Sequence, residues 1–526
     1  MCIGQVRDVS EKKSMLSSIS YVMIIMLLSR VLALVSSSMY VSFFGTENLY
    51  INIYSYAITI PNTLFNCFGT TLSTVVIPIY ASHIANKNYD TAKRFADNVI
   101  TVSSVFTLLL VVCGMALSFV LPRFTAFNSG ESYSFAVKSL MILMPVMLFY
   151  GLNYILQGML QSVGKYGMPA FVSAPGSVLI ILYVLLFADK YGASGLVLVT
   201  AFGLSLQALL LIPSLARTGY RYKPVFDLKD GDMKTALKMM VPVLLGASSY
   251  QINVFYNNSM AASFDGFVTI MNYVQNIVVY MVLAFVYSVT AVLYPKLTKA
   301  AATGDMQEYK NSLSSVISNV WMLLLPVSVG FIAVRYELLE LIIGWGQNGE
   351  ESINKAAVVM LLYSFSVVSV GSKEIIDRAF YSLKDTKKPA VNGFIIMALN
   401  IILSLVLMPF MDGYALPLAY SLSSLTGLCV LLVLLKKKIG SFAKGCGVNF
   451  VKCTLSAVVM YLAVTALRVV LPDALGFGQV VDRVLILGIL CFTGVVVYGV
   501  MILLLKVPSA MEVLRKITRK SSKGGI

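Results

Sequence analysis

Apolar segments long enough to cross a bilayer recur along the whole chain, separated by short charged or Gly/Pro/Asn-containing stretches. A helix needs about 20 apolar residues to cross the hydrocarbon core. Fourteen such segments occur, at 16–43, 50–80, 98–121, 134–160, 168–188, 193–217, 236–262, 267–295, 312–335, 356–381, 389–410, 414–435, 450–471 and 483–506. The first is too long for a secretory signal and has no small-residue cleavage site, so it reads as span 1. Of 526 residues, 58% are hydrophobic and 12% charged, about half the charge of an ordinary soluble protein. A water-soluble globule and a disordered chain are both excluded. The expected fold class is an all-α integral membrane protein of about fourteen transmembrane helices.

Lys and Arg outnumber Asp and Glu by 40 to 24, a formal charge of +16. With a cytoplasmic N-terminus, 32 of the 40 basic residues fall on one side, from Arg7, Lys12 and Lys13 at the start to Arg515–Lys523 in the tail. The 217–238 connection alone carries Arg217, Arg221, Lys223, Lys229, Lys234 and Lys238. The other side receives Arg123, Lys138, Lys190, Arg335, Lys355, Arg468 and Arg483, and Arg30 lies inside a span. Cytoplasmic loops collect Lys and Arg, so the expectation is a multi-pass plasma-membrane protein with both termini in the cytoplasm. The net charge is then topology and attraction to anionic membrane lipids, and no nucleic-acid partner is expected. The seven cysteines suggest neither a disulfide framework nor a metal site. The single histidine, His83, reads as an interfacial polar residue.

The chain also contains an internal repeat of about 220 residues. Gly151–Pro169 and Gly371–Pro389 have equal length, and both end a span, cross a basic loop and start the next span. Pro78 and Pro295 precede loops with matching spacing, and Phe44-Gly45 and Asp265-Gly266 close the first span of each half. Spans 1–6 and 7–12 therefore read as two parallel six-helix lobes, with an even number of spans preserving orientation. The expected domains are an N-terminal lobe (1–216), a cytoplasmic linker (217–235), a C-terminal lobe (236–438), and two additional helices with a basic tail (439–526). Two such lobes are the architecture of alternating-access transporters.

Polar residues inside spans mark the candidate site. A charged residue within a membrane helix costs about 2.5–3.5 kcal/mol on insertion scales and is a functional hypothesis by default. Arg30 sits near the middle of span 1, too far from either end to reach an interface easily. Span 2 carries Asn52, Ser55, Thr59, Asn62 and Asn66, spaced along one helical face. Span 7 carries Tyr250, Asn253 and Asn257, span 8 Asn272, Gln275 and Asn276, and span 4 Asn153, Gln157 and Gln161. Any one stripe is equally well interhelical glue; together, those on spans 1, 2, 7 and 8 favour a hydrated cavity. No Asp or Glu lies near mid-depth, since Glu374 and Asp377 sit near a span end beside Lys373 and Arg378. The expected cargo is anionic, and a cation-coupled drug exporter is disfavoured. No nucleotide loop, metalloprotease motif or dinucleotide fingerprint occurs. No catalytic residues, metal site or cofactor are expected.

These residues resemble the MurJ (MviN) lipid II flippase family, within the multidrug/oligosaccharidyl-lipid/polysaccharide exporter superfamily. The resemblance is carried by Ser29-Arg30-Val31-Leu32, Phe44-Gly45, Ile60-Pro61-Asn62, Ile77-Pro78, Leu160-Gln161-Ser162 and Arg378–Pro389. It implies a flippase for a polyprenyl-diphosphate-linked saccharide, lipid II foremost, supplying peptidoglycan synthesis and working beside the cell-wall machinery. It also implies cavity arginines that grip the diphosphate. Arg30 matches the first; the others fall at Ser36, at Phe65 or Asn66, and at about Asn276, and an acidic position falls at Asn52. The substrate-binding set expected from this reading is Arg30, Asn52, Ser55, Thr59, Asn62, Asn66, Asn253, Asn257, Asn272 and Asn276. An exporter of another lipid-linked polysaccharide, of capsule or spore type, is the first alternative, and a cation-coupled multidrug exporter is the second.

Overall fold

The computed structural model describes residue 25 and residues 28–511 except 164, 166, 442–445, 473–477 and 509. Arg7, Lys12, Lys13, Lys444, the tail from Arg515 onward and the start of span 1 lie outside the described residues. Among the described residues there is helix and no strand, as expected where no water is present to satisfy exposed backbone. Where they are described, the fourteen expected spans fall on single helices or on consecutive helical segments.

The chain forms two compact units, residues 1–269 and 270–526. The first holds α1 (Leu28–Phe44), α2 (Leu49–Ala85), α3 (Tyr89–Leu117), α4 (Gly130–Leu143), α5 (Val146–Ser162), α6 (Gly167–Phe171), α7 (Ala174–Leu186), α8 (Ala188–Ala216) and α9 (Gly231–Ala261). Next come α10 (Phe267–Gln275), which begins before the division, and a π-helical turn at Asn276–Tyr280. The second unit continues with α11 (Met281–Thr303), α12 (Met306–Ala333), α13 (Arg335–Ile343), α14 (Glu350–Ser364) and α15 (Ser366–Ser382). It ends with α16 (Lys387–Met411), α17 (Ala415–Ile439), α18 (Cys446–Val470) and α19 (Gln479–Leu504).

The repeat is visible in the element boundaries. Helices α5 and α15 are both 17 residues long and start about 220 residues apart, and α4 and α14 recur at the same interval. Gly45 (φ +81°) and Gly266 (φ +76°) end the first span of each half in the left-handed region that favours glycine. Helix starts are fixed by side-chain caps: Asn48 accepts from Tyr50 N at 2.9 Å, and Asp230 accepts from Asp232 N at 3.0 Å.

In the first unit α2 is the hub, packed against α3, α4, α5, α8 and α9. Helices α7 and α8 cross through two glycines. A Cβ on Gly203 would lie 3.1 Å from Gly176 Cα, and one on Gly176 would lie 3.2 Å from Gly203 O. Small residues allow such close backbone contact in membranes, where dispersion replaces the hydrophobic effect between helices. Gly203→Leu should force α7 and α8 apart and destabilise the protein by about 1–3 kcal/mol, read as a fall of the thermal unfolding midpoint in detergent. An unchanged midpoint would show that this crossing yields freely.

In the second unit, α18 and α19 pack on α12 through a buried cluster that includes Leu325, Cys453, Ala457, Met460, Leu490 and Tyr498. The Tyr498 hydroxyl donates to Met322 O at 2.8 Å. Glu337 and Glu340 on α13 pair with Arg468 and Arg483 at 2.7 and 2.9 Å, tying α13 to the last two helices. The α15–α16 turn is clamped to the end of α17 at Asp385, which accepts from Lys438 Nζ at 2.6 Å and lies 3.3 Å from Lys388 Nζ. Burial pushes the Asp385 carboxyl upward, but bonds from Lys438 and Lys388 outweigh it and hold the group below its ordinary value. A depressed carboxylate stabilises the fold above its unfolded-state pKa and loses that contribution as pH falls through its folded-state pKa. Asp385→Asn should therefore lower the midpoint at neutral pH. The difference from wild type should close only as acidification passes below the usual carboxylate range.

Candidate functional site

The polar stripe of α2 divides into two parts with different partners. At its start, Asn52 is buried and donates to Thr46 O at 2.8 Å and to Asn48 O at 3.0 Å, while its Oδ1 accepts from Thr269 N at 3.2 Å. Ser55 meets Thr269 Oγ1 at 3.0 Å. Thr59 turns back onto its own helix, donating to Ser55 O at 2.8 Å. These residues are engaged in a polar seam at one end of the first unit.

Further along, Asn62 and Asn66 face α5 and accept from the hydroxyls of Tyr150 and Tyr154, the latter at 3.0 Å. The Phe65 ring, fully buried, stacks between the two tyrosines with centroids 6.0 Å from each and interplanar angles of 23° and 27°. Gly69 makes room for this arrangement, because a Cβ there would come within 2.4 Å of the Tyr154 ring. Arg30 on α1 has an exposed side chain and lies within electrostatic range of Tyr154. The neighbouring Ser29 Oγ donates to Ala170 O at 3.3 Å and fixes α1 at that level. Within the first unit, the structure thus brings together Asn62, Asn66, Tyr150 and Tyr154, with Arg30 within electrostatic range of the last.

The remaining expected residues form local pairs. Asn257 Nδ2 donates to Asn253 Oδ1 at 2.9 Å within α9, and both side chains are buried. Asn257 Oδ1 has no hydrogen-bond partner among the described residues, a condition uncommon for a buried acceptor. In the second unit, Asn276 Nδ2 donates to Asn272 O at 2.9 Å, and Asn276 opens the π-helical turn, a distortion frequent at functional sites. The adjoining α5 stripe is glue: Asn153 donates to Gln207 on α8 at 3.2 Å and accepts from Gln157 at 2.8 Å. Glu374 and Asp377 form i,i+4 pairs with Arg378 and Lys373 at 3.0 and 2.6 Å.

Residue patterns did not single out Tyr150 and Tyr154, although they stand at i and i+4 beside the Asn153–Gln157 stripe. His83, an interfacial polar residue by sequence, places its Nε2 2.9 Å from Asp232 Oδ2. The cluster of one exposed guanidinium, two amides and two phenols offers charge-assisted bonding to an anion. Its ring edges and polar tips suit a ligand that is part apolar and part hydroxylated.

Residues 40–486 match the family described as Lipid II flippase MurJ. The chain belongs to the MurJ lipid II flippase family. A relative from Burkholderia cenocepacia, named "Lipid II flippase MurJ", is 23% identical over 423 residues, covering 78% of this chain and 82% of its own. One from Buchnera aphidicola subsp. Acyrthosiphon pisum, named "Probable lipid II flippase MurJ", is 25% identical over 418 residues, covering 78% and 82%. A solved structure titled "Lipid II flippase MurJ, inward closed conformation" shares the fold with a TM-score of 0.76 at 22% identity, covering 91% of this chain and 97% of that one. An inward-facing MATE-family multidrug transporter of the MOP superfamily shares it with a TM-score of 0.65 at 16% identity, covering 80% and 99%. Membership in this family makes the protein a membrane transporter and not an enzyme.

At the positions where the resemblance implied further arginines, this chain builds other things. Ser36 is buried and bonds to Ala33 O at 2.8 Å on its own helix, Phe65 is the core of the aromatic stack, and Asn66 holds Tyr154. If Tyr154 is placed by Gly69 and Asn66, Gly69→Ala and Tyr154→Phe should each lower transport several-fold. The double variant should be no worse than either one, because both break the same bond. Additive losses in a liposome flipping assay would show that the two act separately.

Proposed function

We propose that this protein flips a polyprenyl-diphosphate-linked saccharide, lipid II, from the inner to the outer leaflet of the plasma membrane by alternating access, with both termini cytoplasmic. Family membership supplies the reaction, and what supports its assignment to a site is the Tyr150/Tyr154–Asn62/Asn66 cluster with Arg30 within electrostatic range of Tyr154. In this reading Arg30 attracts the diphosphate, which takes charge-assisted bonds from the guanidinium. Asn62, Asn66 and the tyrosine hydroxyls exchange their bonds with one another for bonds to the sugars, and the lipid tail stays in the bilayer. The amides at 253, 257, 272 and 276 belong to the same substrate-binding set. Asn52 and Ser55 serve it from the seam that they form with Thr269. The lobes are those of the sequence repeat, 1–216 and 236–438, with 217–235 as linker and 439–526 as the additional pair. Cell-wall synthesis enzymes receive the product on the outer side.

Reversing the charge should be decisive. Arg30→Glu should abolish complementation of a flippase-depleted strain and reduce lipid II binding at least tenfold, and Arg30→Lys should keep part of both. Growth of the Arg30→Glu strain at the normal rate, with the protein present in the membrane, would remove Arg30 from the site.

A further inference from the structure

Where α2, α3 and α9 meet in the first unit there is a cavity of about 460 Å³ whose walls are almost wholly apolar. It is lined by Leu72 and Val76 of α2, Val102 and Phe106 of α3, and Ala236 and Met240 of α9. Phe226 and Leu228 of the connection between α8 and α9 close one end. None of the residues assigned to cargo above lines it.

The closing segment is held by one face of α3. Asp97 accepts from the Tyr220 hydroxyl and from Lys223 N, and Thr101 bonds the Tyr222 hydroxyl at 2.7 Å and Val225 N at 3.2 Å. Asn98 accepts from Asp227 N at 2.9 Å and donates to Asp227 O at 2.7 Å, while Arg94 pairs with the Asp227 carboxylate at 3.3 Å. Positions 94, 97, 98 and 101 are the i, i+3, i+4 and i+7 of a single helical face. Burial, then the Asp97 carboxylate, pushes the Tyr220 hydroxyl far above its ordinary pKa, so it remains a donor at any physiological pH. The strap is thus a fixed wall.

An apolar void of this size forfeits dispersion contacts along its whole lining, and with Ser103 as its one polar lining residue it lacks the two to four polar partners that would hold a water. At the rim Val105, Phe106, Leu109 and Val241 are exposed, and all of them lie on segments read as membrane spans. The filler at hand is hydrocarbon. An apolar cavity of about 150 Å³ admits a six-carbon ring, so this one accommodates roughly three times as many carbons, the length of an ordinary acyl chain. The charges nearby select the headgroup. Asp97 and Asp227 are engaged as above, Asp230 caps α9 and Asp232 pairs with His83. Lys223, Lys229 and Lys238 are exposed on the strap and the first turns of α9.

We propose that this junction is a lipid site that takes one acyl chain of an anionic glycerophospholipid, with the phosphate held by the lysines of the strap and of α9. Only the choice of leaflet, the inner one, rests on the topology proposed above. The site is separate from the cargo cluster and makes the 220–228 strap part of the membrane-embedded structure.

The full-length protein in nanodiscs can be labelled with phosphatidylglycerol and phosphatidylcholine analogues carrying a diazirine in the acyl chain, and with a photoreactive polyprenyl phosphate. Peptide mapping should place phosphatidylglycerol label on 68–76, 99–109 and 233–244, at least fivefold above the phosphatidylcholine analogue. Val102→Trp, which fills the cavity, should remove this label. The Lys223→Glu/Lys229→Glu/Lys238→Glu variant, which leaves the cavity lining unchanged, should erase the headgroup preference while retaining acyl-chain labelling. Arg30→Glu should label as wild type does, so loss of transport and loss of lipid binding are read separately. Equal labelling by both phospholipids, labelling by the polyprenyl probe in their place, or label that survives Val102→Trp in folded protein would each overturn the proposal.

Discussion

An unpaired amide or hydroxyl in hydrocarbon costs several kcal/mol, and α2 meets that constraint with five polar residues on one face. It does so by giving each a partner. Asn52 and Ser55 go to Thr269 and the turn before the helix, Thr59 to its own backbone, Asn62 and Asn66 to the tyrosines of α5. Helix α2 is consequently the hub of the first unit: the same side chains that make it polar specify where its neighbours must lie. The pairs at Asn62 and Asn66 are neutral hydrogen bonds, net worth about 1 kcal/mol each in the folded protein. They are strong enough to order two tyrosines and weak enough to be exchanged for bonds to a hydroxylated ligand.

The large-scale plan was legible in the residues because it follows from quantities that sequence carries directly. Span length is set by bilayer thickness, and the repeat survives in Gly45 and Gly266, whose positive φ no other residue adopts cheaply. The candidate site was only half legible. Polarity marked Asn62 and Asn66, but tyrosine is counted among apolar residues, so Tyr150 and Tyr154 were hidden within a span that looked hydrophobic. The stripe at 52–66 read as one surface, yet its two ends serve different partners, a distinction that depends on the residues facing them. The cavity beneath the strap was invisible to any reading of composition, since a void is made by what neighbouring helices fail to fill.

Packing and repeat divide the chain differently, and the difference is informative. By sequence, α9 opens the second repeat; by contact, it lies against α2 and α3 in the compact unit that ends at 269. The strap explains part of this. Arg94, Asp97, Asn98 and Thr101 hold residues 220–227 along α3, so the chain arrives at Asp230 already placed, and Asp230 then caps α9 where it stands. A connection that repeat analysis treats as a linker is, physically, a bonded element of the first unit.

The proposed transport reading must also account for a single arginine in α1 where the family resemblance implies several. Two unit charges about 4 Å apart attract by about 1 kcal/mol in water and about 4 kcal/mol near a protein surface. An inside-negative potential does about 2.3 kcal/mol of work per charge per 100 mV on an anion that moves outward. The grip of one guanidinium and the pull of the field are therefore of the same order. Additional arginines would tighten capture and deepen the well from which the diphosphate must leave, raising the cost of release on the outer side. With Ser36, Phe65 and Asn66 in their place, capture in the proposed reading relies more on amides and phenols, whose bonds to sugars do not change with the cargo's charge. In that reading the single cation sets where the anion sits, and the membrane field does work of the same order as its grip.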